Sequence, residues 1–231
     1  MARYDLDKAR LRVRMVIAQP DCNAKAVLPE YLVLESNEGI YTNVVSIFVD
    51  LRSSTKLFSG KYSKRRVVAR QIRCFVSETV RILKEAKGFK EIGVRGDCVY
   101  GIYYMPNDSR IYGVMNKAVA VNSALKMINE EFRRNDIGVP LRYGIGVSCG
   151  EVLVIEAGSA DQGISDFVWI GEAAALASNM ADAGSKNGAM PIVVSEEVYD
   201  AAVGMGYDPD SFEQRGIKGI GVAYTSDLHY E

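Results

Sequence analysis

At 231 residues the chain is long enough for one domain with an extension and a substantial core. Apolar and charged fractions of 48% and 25% are those of a globular protein and exclude a disordered one. A formal net charge of −1 sets up no global field toward nucleic acid or anionic lipid, and no apolar run is long enough to cross a bilayer.

The first 40 residues form an N-terminal extension, with the main domain expected over residues 41–231. In KARLRVRM, basic and apolar residues alternate, which fits either an edge strand or a basic helix; Pro20 and Pro29 interrupt the rest of the extension. VVSIFVD (Val44 to Asp50) is β-branched and apolar and predicts a buried strand. RSST (Arg52 to Thr55) then supplies residue types that begin helices. A long amphipathic helix is predicted from near Ser63 to Ala86, with Gly88 ending it. FKEIGV and CVYGIYY read as two strands of a hairpin around Arg95-Gly96-Asp97. A second long helix, about Arg110 to Arg134, leads into the strand LRYGIGVS (Leu141 to Ser148). A further strand, a helix near Glu172 to Ala183 and the strand PIVVS come next. The expected fold class is α/β (α+β), a ferredoxin-like β-α-β-β-α-β core with extra C-terminal strands.

The four cysteines, Cys22, Cys74, Cys98 and Cys149, are scattered without CxxC spacing, so free thiols in a reducing cytoplasm explain them better than disulfides or zinc. The single histidine, His229, lies near the C-terminus and gives histidine chemistry little support. The carboxylates are more informative. Asp50 ends an apolar strand and Asp97 sits in a hairpin of another. If those strands pair side by side, the two carboxylates share divalent cations, the usual apparatus for attack at phosphorus. The backbone amides from Leu51 through Arg52, Ser53 and Ser54 to Thr55 are candidates for holding phosphate oxygens. A lone strand-end aspartate is more often a cap or turn residue than a ligand; the local contexts change that weighting.

FVDLRSST resembles the FxDIRGFT-type first motif of the class III nucleotidyl cyclases, and VRGDCVYGIYY resembles their second. LRYGIGVSCGEVLV is similar to their LRIGIGINTGEVVVG segment, WIGEAAALASNM to their GDxVNxAxRL helix, and RGIKGIG to a late LKG segment. Each match is loose, but all occur in family order between Val44 and Tyr224, and the ordered set is specific. The resemblance implies a homodimer with active sites in its cleft, and two cations, Mn²⁺ or Mg²⁺. It places the metal-binding positions at Asp50, Leu51 and Asp97, and a triphosphate-contacting lysine at Lys218. The ribose 3′-hydroxyl would attack the α-phosphate in line, with catalysis by positioning and electrostatics.

Three departures stand out. The base-reading lysine of family members that use ATP falls on Gly93, and their second base-reading position on Val168. Their transition-state Asn and Arg fall on Ala175 and Asn179. Arg95, on the same strand face as Gly93, is a candidate substitute that binds phosphate or reads a pyrimidine carbonyl; Arg52 is a weaker one. Trp169, the sole tryptophan, either stacks on a base or packs in the core. Missing purine-reading groups resemble the stand-alone pyrimidine cyclases of bacterial Pycsar antiphage systems. That branch implies UTP as substrate, cyclic UMP as product and a separate effector protein that reads it. Cytidylate or purine cyclisation is the alternative, and a catalytically silent regulatory module is a reading of another class. The basic stretch KRRVVARQIR lacks an accompanying aromatic-rich strand and reads as a solvated helix face, not a nucleic-acid site.

Overall fold

The computed structural model describes residues 5–19, 23–25, 34, 38–53, 62–159 and 163–230, with side chains except those of 23–25, 62–64, 159 and 164. The basic-apolar stretch near the N-terminus is helical: α1 (Leu6–Ile17) is capped by Asp5, whose carboxylate accepts from the Asp7 and Lys8 amides at 3.1 Å. None of its residues is buried. The short strand β1 (Asn23–Lys25) runs parallel to the start of β2 (Glu38–Leu51).

β2 is longer than its apolar run and lies between two antiparallel partners, β4 and β5. Val44, Val45, Ile47 and Val49 are all 0% exposed, which is why this strand reads as continuously apolar rather than alternating. α2 (Tyr62–Lys84) leads to β3 (Phe89–Arg95) and β4 (Cys98–Tyr104), joined by a turn in which Gly96 takes φ +65°, where glycine pays no steric penalty. α3 (Ser109–Arg134) then feeds β5 (Tyr143–Ser159). β2-α2-β3-β4-α3-β5 is the expected β-α-β-β-α-β unit, and its spatial order β3-β4-β2-β5 is the ferredoxin-like one.

The chain continues through β6 (Ile164–Ile170), α4 (Glu172–Ala183), β7 (Ile192–Val194) and α5 (Glu196–Gly204) to the hairpin β8 (Glu213–Ile217) and β9 (Gly221–Ser226). β7, β9 and β8 extend the sheet beyond β5, while β6 pairs with the far end of β5. Helices cover both faces. α2, α3 and α5 bury Phe75, Leu83, Met115, Leu125 and Val198 against Val45, Ile47, Ile145 and Val147. α4 lies on the opposite face, over Gly144 and Gly146, where a Cβ would run into the carbonyls of Ala181 and Ala177. The two glycines of YGIGVS therefore let a helix backbone rest directly on the sheet.

Candidate active site

Sheet register brings the two aspartates together. Asp50 stands opposite Cys98 on β4 and opposite Gly144 on β5, and Asp97 immediately precedes Cys98. The Leu51 amide donates to the Asp97 carbonyl at 3.3 Å, fastening the hairpin turn to the end of β2. Burial raises the Asp50 carboxyl above its ordinary range, the nearby Asp97 charge adds to that, and Arg52 opposes both. Cys98 lies beside them, and burial, then the Asp50 and Asp97 charges, push its thiol up to about 12.

Arg52 is buried, with only 4% of its side chain exposed. Its Nη1 faces Asp50 Oδ2 at 3.3 Å and Asp182 Oδ1 at 3.4 Å, and its Nε donates to the Gly184 carbonyl at 2.9 Å. It therefore points into the fold toward α4 and ties that helix to Asp50, rather than reaching out as a free phosphate-binding cation. Lys186 completes the group, its Nζ 2.6 Å from Asp182 Oδ1.

The amide cradle expected after Asp50 needs correction. The Leu51 amide is taken by Asp97, and the Arg52 amide donates to the Arg142 carbonyl at 2.7 Å. Both are satisfied within the fold, which removes them from the phosphate-holding set. Ser53 adopts φ +58°, and Ser54 and Thr55 lie outside the described residues.

The base-side positions form a second cluster. Gly93 is paired with Tyr100, and the Tyr100 ring fills the face over Gly93 so closely that a Cβ there would overlap it. Tyr100 stacks on Phe48 with centroids 5.2 Å apart and donates to Glu91 Oε1 at 2.5 Å. Burial, then Glu91, push its hydroxyl up to about 12. Trp169 donates from Nε1 to the other Glu91 oxygen at 2.6 Å and packs against the same cluster, so its ring is already engaged. Val168 points away and is 41% exposed. Arg95 is exposed, 3.6 Å from Asp166 and 6.0 Å over the Tyr100 ring.

A cavity of about 620 Å³ opens between the end of α4 and the β8–β9 hairpin, lined among others by Asn179, Asp182, Lys186, Arg215 and Lys218. The structure thus brings Lys218 and Asn179 to one cavity, Asp50 and Asp97 to one strand end, and Gly93, Arg95 and Trp169 to one cluster. Asp182, Lys186, Glu91 and Tyr100 were missed at the level of sequence. The i,i+4 spacing of Asp182 and Lys186 was the available signal for that pair.

The donor set fits a hard divalent cation. Two carboxylates and a strand-end carbonyl are oxygen ligands, and Mg²⁺-type sites take one or two carboxylates and complete their shell with substrate phosphates. Such a site needs no third side chain, and no cluster of three or more His, Cys, Asp or Glu occurs among the described residues.

No protein-family profile matches the sequence. The chain is 38% identical over 198 residues to a uridylate cyclase of Treponema porcinum, covering 85% of this chain and 68% of that protein. It is 35% identical over 183 residues to a uridylate cyclase of Gulbenkiania mobilis, covering 76% and 70%. Among solved structures, the adenylyl cyclase CyaB of P. aeruginosa superposes with a TM-score of 0.65 at 19% identity, over 82% of this chain and 95% of that one. A class III adenylyl cyclase-like ATP-binding protein from Pseudomonas aeruginosa gives 0.69 at 16% identity, over 96% and 46%. At such identities these structures establish the fold, and the two sequence relatives establish the kinship. The chain belongs to the class III nucleotidyl cyclases, in the family of the uridylate cyclases.

Proposed function

We propose that this protein cyclises UTP to 3′,5′-cyclic UMP and pyrophosphate, with Asp50, Asp97 and the Leu51 carbonyl holding two divalent cations, Mn²⁺ or Mg²⁺. The observation that carries the reading is the meeting of Asp50 and Asp97 at one strand end, where burial and mutual repulsion favour an added positive charge. Bound there, the cations would supply charge neutralisation for the phosphates and acidify the ribose hydroxyl. The 3′-oxygen forms a bond to the α-phosphorus as the bond from that phosphorus to the bridging oxygen breaks. Pyrophosphate leaves with the electron pair, and the hydroxyl proton passes to water. The protein's part is placement: Arg52 fixes the Asp50 carboxylate, and Lys218 offers charge to the phosphates from the adjoining cavity.

Base choice is supported by Tyr100. In family members that use ATP the Gly93 position carries a lysine, and here the Tyr100 ring occupies that face. The names of the two relatives point to uracil as the base. Arg95, exposed on the same strand face, has donors suited to a uracil carbonyl. A homodimer agrees with the exposed apolar side chains of Val168 and Ile170 on β6.

The likeness to Pycsar cyclases supports a cytoplasmic antiphage role, in which a separate effector reads the product. Cells expressing the protein should then show cyclic UMP rising on phage infection, and a flat level would remove that role.

The second reading, a silent regulatory module, is favoured by Ala175 and Asn179, which leave α4 without the family's arginine. A product assay decides. The protein is incubated with ATP, GTP, CTP or UTP and Mn²⁺, with Asp50→Ala and Asp97→Ala as controls, and products are identified by mass spectrometry. Cyclic UMP from the wild type alone is expected; folded protein that forms no cyclic product would establish the module, and a purine product would overturn the base assignment.

A further inference from the structure

The α4 position that carries the family's arginine holds Asn179, yet the cavity Asn179 lines contains three cations: Lys186, Arg215 and Lys218. They differ in what already binds them. Lys186 pairs with Asp182 at 2.6 Å and, on a flexible stem in the turn after α4, offers a point charge and not a fixed fork of donors. Lys218 is exposed in the turn between β8 and β9, where Gly219 takes φ +83°. A flexible ammonium on such a turn suits general attraction of a triphosphate more than a fixed contact.

Arg215 is built differently. Its backbone is fixed in β8 by pairing with Ala223. Its guanidinium rests in the turn after α4: Nη1 is 3.5 Å from the Asn187 carbonyl and Nη2 is 2.8 Å from Glu213 Oε1. Its Nε is buried and has no hydrogen-bond partner among the described residues. A Cβ on Gly188 would stand 3.2 Å from Nη1, so glycine there keeps room for the planar group. With 31% of its side chain exposed, Arg215 is held in place while part of it still meets the cavity.

Resting on the cyclase reading, we infer that Arg215 supplies the arginine that position 179 lacks. It contacts the triphosphate and stabilises the charge that grows on the α-phosphate oxygens and the departing pyrophosphate. A planar fork of donors set in advance on a strand suits that task, because it needs little reorganisation during attack. Glu213 is 49% exposed and holds the guanidinium ready at small cost, since a solvated ion pair of this kind yields easily to a phosphate.

The test uses the full chain with UTP and Mn²⁺ and compares wild type, Arg215→Ala, Arg215→Lys, and Arg215→Ala combined with Asn179→Arg. Affinity for 2′,3′-dideoxy-UTP, which lacks the attacking hydroxyl, is measured by calorimetry, and circular dichroism confirms folding. Arg215→Ala should lower kcat about 100-fold, with Arg215→Lys recovering only part of it. Asn179→Arg in the alanine background should restore at least about tenfold, by returning a guanidinium to the same cavity. An Arg215→Ala variant with kcat within about threefold of wild type overturns the inference alone. So does a loss that Asn179→Arg leaves unrepaired while dideoxy-UTP binds normally. A wild type that forms no cyclic product overturns the functional reading itself, and this inference with it.

Discussion

Gly93 shows how one missing side chain acquires a meaning that sequence alone does not supply. Glycine at a base-reading position says only that lysine is gone. The structure adds that Tyr100 occupies the vacated face, stacked on Phe48 and hydrogen-bonded to Glu91, which Trp169 also holds. On the function proposed above, a base pocket built around that ring would be shallower by an aromatic side chain and would discriminate sterically. Tyr100→Ala should therefore raise kcat/KM for ATP relative to UTP by about tenfold or more. An unchanged ratio of the two specificity constants would move base selection away from Tyr100. Arg52 makes a related point: its place in the DLRSST motif suggests a phosphate ligand, while its burial between Asp50, Asp182 and the Gly184 carbonyl makes it an internal tie. A motif gives a residue's position along the strand but not which way its long side chain folds back.

Among the elements, α4 links the cavity to the end of β2. It delivers Asn179 to the cavity and Asp182 to Arg52, and it does so because Gly144 and Gly146 allow its backbone onto β5. Gly144 is also the residue opposite Asp50, so the seat of the helix and the seat of the aspartate share one strand segment. Gly146→Ala tests this coupling. The added methyl would meet the Ala177 carbonyl and the Ala181 amide, backbone atoms that cannot turn aside. We expect a loss of about 1–3 kcal/mol in urea denaturation, together with weaker Mn²⁺ binding as Asp182 and Arg52 shift. Unchanged stability and Mn²⁺ affinity would show that α4 is not seated through this glycine.

Across the whole molecule, the C-terminal residues are strapped to α3. Asp227 accepts from Asn122 at 3.1 Å and from Lys126 at 2.7 Å, and the Tyr230 amide donates to Ser123 Oγ at 2.8 Å. Asn122 in turn accepts from the hydroxyl of Tyr143, at the start of β5, at 2.8 Å. Burial pushes the Asp227 carboxyl up, but the hydrogen bonds from Lys126 and Asn122, with the Lys126 charge, pull it below its usual range. A depressed carboxyl adds stability that is present above the unfolded value near 4 and is lost as pH falls through the folded value. Asp227→Asn should thus be destabilised by about 1 kcal/mol at pH 7, a modest figure because the pair is partly solvated. The deficit should shrink as pH falls below about 4 and vanish only below the depressed folded value, where wild-type Asp227 itself becomes protonated. A deficit that persists undiminished in acid would assign the effect to packing instead.

The order of elements from β2 to β7, the ferredoxin-like core and the side-by-side strands that end at Asp50 and begin after Asp97 were legible in the sequence. They arise from local signals: apolar runs of the right length, glycines at turns, and five motifs in order. What lay beyond reach has a common cause. The Tyr100 plug is made across one hairpin, while the inward turn of Arg52, the satisfied amides of Leu51 and Arg52, and the shared cavity of Arg215 and Asn179 join residues far apart in the chain. The first and third depend on strand register, and the others on how α4 and the β8–β9 hairpin come to rest. Local periodicity carries no information about either. The sequence by itself determined which elements form and which carboxylates end them; only tertiary packing decided which neighbours those groups meet, because a long side chain takes its direction from whatever fills the space around it.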